Sequence, residues 1–199
     1  MSSGERDPAA GAAPPNALSP PVGGRLTVAA ALALAVAAAL YTFGRMHAPD
    51  YASTLFGRRG IEANVLKAQL GTSLAGLALG QLTLALWIYR RLPGAGASPP
   101  AIPTAHRVGG IVLFTLSLPV TYHCITAYGV QLSSTRVAVH ALVGCFFYGA
   151  FAAKVLLVRS RHLPGWALPL AGGILIACIA TLWYTAALWQ FTALWAPGP

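Results

Sequence analysis

Hydrophobic positions in this chain come in long unbroken blocks rather than in alternation. Five stretches are mainly apolar, at about Leu26–Gly44, Val65–Tyr89, Val108–Gly129, Val137–Val158 and Trp166–Leu194. Each reaches the roughly 20 residues that an α-helix needs to cross a bilayer. No period-2 run marks a strand, so the expected fold is all-α, an integral membrane bundle of five transmembrane helices. Residues Met1–Gly24 are rich in Pro, Gly, Ala and Ser and cannot bury a core; they read as a disordered N-terminal tail ahead of one transmembrane domain spanning residues 25–199. The first block, preceded by Arg25 and followed by small residues, is also open to a signal-peptide reading. Its apolar core is longer than the usual h-region, which favours a retained helix.

Composition agrees. Of 199 residues, 56% are hydrophobic and 9% are charged, where a soluble domain carries about 25%. The formal net charge of +9 would suggest nucleic acid in a soluble protein, but no basic run interleaves with aromatics, and the cations sit at the edges of apolar blocks. Nucleic acid is therefore not an expected partner. Counted on alternate sides, Arg6, Arg25, Arg90, Arg91, Arg107, Lys154, Arg159 and Arg161 outnumber Arg45, Arg58, Arg59, Lys67 and Arg136. The bias predicts a cytoplasmic N-terminus and an outer C-terminus in the plasma membrane. Trp183, Trp189 and Trp195 suit an aromatic belt at that outer end. Cys124, Cys145 and Cys178 each stand inside an apolar block and form no CxxC or CxxCH, which removes a disulfide framework, a thiolate zinc site and covalent haem attachment.

Ionisable groups inside spans are costly and mark function. The five blocks as bounded here hold no Asp or Glu, which argues against carboxylate proton relays and carboxylate-based hydrolysis. Histidines remain. His123 falls near the end of the third helix and His140 near the start of the fourth, so antiparallel packing brings them to one depth. Two facing imidazoles on neighbouring helices are an axial ligand pair for haem b. His140, Gly144, Phe147, Phe151 and Lys154 share one face of the fourth helix at 100° per residue, with Gly144 giving a flat ring clearance. Pro119, one turn before His123, is expected to kink the third helix.

Lys154 stands about 21 Å from His140, and His106 about 25 Å from His123, at 1.5 Å per residue. An inner site is therefore conceivable, with His106 as ligand and Arg107 and Lys154 holding a haem propionate or another anion. His106 and His123 lie about 100° apart around their helix, which favours one haem over two. The plainer roles are hydrogen-bonded packing for His123 and His140 and interfacial anchoring for His106, His162, Arg107 and Lys154. His47, in the outer loop, carries no assignment.

The second helix holds Gly71, Gly76 and Gly80; Gly76 and Gly80 form a GxxxG, expected to pack inside the bundle or in a homo-oligomer or larger complex. A quinone or lipid pocket lined by Gln69 and Gln81 is an alternative use. The fifth helix, with only Thr181, Tyr184 and Thr185 as mildly polar residues, is expected to close the bundle.

The stretches LKAQLGTSLAGLALGQLTLALWIYRRLP, LPVTYHC, TRVAVHALVGCFFYGAFAAK and LPGWALP together resemble an uncharacterised family of small actinobacterial integral membrane proteins, domain of unknown function 6529. That resemblance implies membership and no activity. The helix beginnings HRVGG and HALVG resemble the His-bearing helices of cytochrome b561-like and ferric-reductase-like transmembrane haem proteins, which use four histidines in two pairs. This chain has one pair, and Lys154 where the fourth helix would carry its second histidine. The leading expectation is single-haem electron transfer between the third and fourth helices, with quinone or a membrane redox partner. The competing one is a cofactor-free accessory or scaffold subunit docked through Gly76 and Gly80. A transporter is disfavoured by the lack of an inverted repeat.

Overall fold

The computed structural model describes residues 22–160 and 163–195. Among these residues, five helices are long and apolar enough to cross a membrane, and no strand is formed. They are α1 Val22–Met46, α2 Gly60–Ile88, α3 Ala101–Tyr128, α4 Thr135–Arg159 and α5 Ala167–Leu182. A π turn, Trp183–Leu188, carries α5 on into α6, Trp189–Trp195. The fifth crossing is the composite Ala167–Ala193. His162 and nearly all of the tail lie outside the described residues; α1 begins at Val22, two residues ahead of the expected tail boundary at Gly24.

Several helices run past their apolar blocks. α2 starts at Gly60 rather than Val65 and takes Glu62 into its first turn. One carboxylate thus belongs to a spanning helix, correcting the reading that all of them lie outside. Glu62 is exposed, and a helix N-terminus favours an acid through its unpaired N–H groups. α3 begins at Ala101, with Pro103 in its first turn, where a missing N–H costs nothing. It continues through Pro119. α4 starts behind Ser134, whose Oγ accepts the Val137 N–H at 3.4 Å, a side-chain N-cap.

The helices pack in the lateral order α1, α4, α5, α2, α3. Small residues set the tightest seam. Ala29 and Ala33 of α1 cluster with Ala153 and Leu157 of α4, and a Cβ on Gly149 would overlap the Ala33 carbonyl. In a bilayer, where lipid is as apolar as leucine, such backbone approach drives helix association. α3 and α4, by contrast, are not closely packed along their backbones. Phe114 stacks on Phe151 at 4.1 Å between ring centres and meets Tyr148 edge-on at 5.7 Å. These rings hold the two helices apart.

At the end where α1 finishes, residues 47–59 strap the bundle. The Asp50 N–H donates to the Thr126 carbonyl at 2.9 Å, and the Val130 N–H to that of Gly44 at 2.8 Å. Gly129 turns the chain between α3 and α4 at φ 65°, where any Cβ would stand 2.8 Å from the Gly44 oxygen. Only glycine suits that turn.

Candidate functional site

The gap between α3 and α4 is the mouth of a cavity of about 510 Å³, within the range of small-molecule sites. It lies towards the strap end of the bundle. From α4 it takes Arg136, His140, Gly144 and Phe147; from α3, Ser117, Thr121, Cys124 and Tyr128. α2 adds Asn64, Lys67 and Gly71, and the α5 side adds Ile179, Leu182, Trp183 and Trp189. The fifth helix therefore supplies wall and polar contacts instead of merely closing the bundle.

His140 is held in one orientation. Its Nδ1 lies 3.0 Å from Thr185 Oγ1, while that hydroxyl donates its single hydrogen to the Thr181 carbonyl at 2.7 Å. The threonine oxygen can then only accept, so Nδ1 carries the proton and Nε2 keeps its lone pair for a ligand. Metal-ligating histidines are commonly fixed by a hydrogen bond on the other nitrogen. Thr185 sits inside the π turn, a rare geometry that recurs at functional sites. The Arg136 Nη1 donates to the Thr185 carbonyl at 2.7 Å, so one residue of the π turn holds both α4 side chains.

Two cations mark the rim. The Arg136 guanidinium lies 3.8 Å over the Trp189 ring, and the Lys67 ammonium 4.3 Å over the Tyr128 ring. Tyr128 in turn donates to Asn64 Oδ1 at 2.9 Å. Among the described residues no carboxylate lines the cavity, and both charges rest on aromatic faces. Deeper in, the Tyr148 hydroxyl bridges Thr121 Oγ1 at 2.7 Å and Ser117 Oγ at 2.9 Å.

The structure places His123 apart from the cavity that His140 lines. His123 is 3% exposed but absent from the cavity wall. Thr121, Cys124 and Tyr128 define the wall face of α3, and at 100° per residue His123 points well away from it. Its ring packs edge-on to Tyr128 at 6.2 Å, beneath the strap, with both nitrogens and the Ser53 hydroxyl unpartnered. The two histidines share a depth and not a direction.

Other expected residues divide similarly. Gly144 opens onto the cavity; a Cβ there would meet only Leu182, at 3.8 Å. Lys154 and His106 lie at the far end of the bundle, and Arg107, one residue on, is exposed. Gln69 is exposed, and Gln81 packs on Gly109 and Gly110 of α3, so the two glutamines line no common pocket. Gly71 faces Ala187 at 3.6 Å, whereas Gly76 and Gly80 have nothing within 4 Å. The GxxxG is thus no packing face inside this bundle. Among the described residues, no group of three or more His, Cys, Asp or Glu gathers around one point.

Residues 26–197 match the model of a family of unknown function, DUF6529. The chain belongs to this family. No curated protein and no solved structure matches it. The family thus spans all five crossings and every residue of the cavity wall, and it brings no activity with it.

Proposed function

We propose that this multi-pass membrane protein binds one haem b in the α3–α4 cavity and serves as an electron-transfer subunit of oxidoreductase type. The observation that carries the reading is the fixed His140 ring, with Nδ1 tied to Thr185 and Nε2 turned over to a ligand. The donor set fits such a group. The His140 imidazole would hold the iron, Phe147, Ile179 and Leu182 would wall the ring with apolar surface, Gly144 would give it clearance, and Lys67 and Arg136 would hold its two carboxylates. The set suits one protein ligand from α4, since His123 lies off the wall. Bound iron would supply a one-electron couple, with quinone or a membrane redox partner as the exchanging species. The chain's own residues would orient the ring, exclude water and neutralise the carboxylates. Cation counts on the two sides support a plasma-membrane protein with the cavity mouth outside and the N-terminus cytoplasmic.

The test is a reduced-minus-oxidised visible spectrum of the purified full chain after expression with a haem precursor. The expected result is a Soret and an α band in the wild type, lost at least tenfold in His140→Ala and kept in His123→Ala. A wild-type spectrum without a Soret band sinks the reading.

One observation favours a second role, as a cofactor-free accessory or scaffold subunit. Gly76 and Gly80 form an outward-facing small-residue stripe with nothing against it, the kind of face that docks on another helix. This role predicts that Gly76→Leu removes co-purifying partners or self-association while His140→Ala leaves them.

A further inference from the structure

At the end of the bundle away from the cavity mouth, four helices bring polar groups to a common level. His106 stands five residues into α3, Lys154 five before the end of α4, Gly172 five into α5, and Gln81 seven before the end of α2. At 1.5 Å per residue these positions are about 7–11 Å inside the helix ends. Helices of 25–29 residues overrun a hydrocarbon core of about 30 Å by a few ångström at each end. The level is therefore a few ångström inside the hydrocarbon edge, just below the lipid head groups.

The side chains turn inwards there. The Lys154 ammonium lies 3.9 Å from where a Cβ on Gly172 would stand, against the α5 backbone rather than out past the helix end. Gln81 reaches α3 only because Gly109 lacks a side chain; its amide occupies the space a Cβ would take. The His106 ring lies by the Gln81 backbone and within electrostatic reach of Lys154, and its Nδ1 is buried without a hydrogen-bond partner. Among the described residues, no hydrogen bond or ion pair closes on the Lys154 ammonium.

An ammonium, an amide and an imidazole can donate together, and no acid stands among them. A cation at membrane depth calls for a counter-charge. We infer that α2, α3, α4 and α5 form a second binding site here, taking the phosphate or carboxylate head of a membrane lipid between Lys154, His106 and Gln81. The site is independent of the His140 cavity and does not require haem.

The experiment uses the purified full chain in neutral detergent, with native mass spectrometry and thermal unfolding read in parallel. Dioleoyl phosphatidic acid, oleate, dioleoyl phosphatidylcholine and inorganic phosphate are titrated separately. The expected result is at least tenfold tighter retention of phosphatidic acid or oleate than of phosphatidylcholine, with a rise in Tm. K154Q should lose that preference tenfold or more and K154R keep it. Equal protection by inorganic phosphate keeps the anion site and assigns it to free phosphate instead of lipid. If K154Q does not elute as a single species, His106→Phe takes its place, with the same loss expected. Equal retention by wild type and variant, or no preference over phosphatidylcholine, overturns the proposal.

Discussion

Along its α1 side, α4 presents Gly149, Ala150 and Ala153, and its backbone rests on that of α1 at Ala33. Along its α3 side it presents Phe147, Tyr148 and Phe151, whose rings stack on Phe114 or on one another. The same helix therefore makes one seam with no room for a methyl group and another wide enough for a ligand. Side-chain size, rather than hydrophobicity, decides which seam opens. Both faces are apolar, and in lipid that alone would not separate them.

Substitutions at two glycines separate the seams most sharply. Gly149→Leu should cost about 3 kcal/mol through overpacking against Ala33, read as a fall in Tm in detergent. Gly144→Leu should leave Tm in place and instead lower ligand occupancy, because its side chain enters the cavity. If both variants melt alike, the contrast between the seams is wrong. Next in size is Thr185→Val, which removes the acceptor that orients His140. Ligand affinity should fall about 10–100-fold, with little change in the unliganded Tm.

A smaller effect is expected at Tyr148, where replacement by Phe keeps the spacer ring and loses the bonds to Ser117 and Thr121. The expected cost is about 0.6 kcal/mol, the average for a hydrogen bond between membrane helices. A loss of several kcal/mol would mean that the hydroxyl network, and not ring size, holds the open seam. Smallest of all, Gly76→Leu should change monomer stability by no more than about 0.5 kcal/mol, since its side chain would enter open space. A large drop in monomer Tm would place Gly76 in a contact inside the bundle.

The fold was legible because each crossing is a block of apolar residues, and block length reports membrane span directly. The ends were less so. Gly60–Asn64 reads as loop from its polar residues, yet it continues α2, because an acid in a first turn is favourable. For the candidate site, His140 and Gly144 could be read from their common face on α4. For His123, the chain position reports depth and not azimuth: Cys124, one residue on, is the neighbour that faces the cavity. Thr185 was missed for another reason. Nothing in WYTAAL distinguishes a π turn from an α turn, and a lone threonine in an apolar helix ordinarily bonds to its own backbone. The one available signal was its position on the helix that must sit beside α4.

The π turn also makes the site sensitive to chain length in a way that residue identity does not reveal. An i→i+5 turn accommodates one residue more than an α turn would. If Trp183–Leu188 took regular α geometry with all six residues present, everything on one side of it would rotate by about 100° relative to the other. Thr185 and Trp189 would no longer keep their joint alignment with His140 and Arg136. The wide turn therefore absorbs one extra position, and the number of residues in this stretch, as well as their identity, is part of what specifies the site.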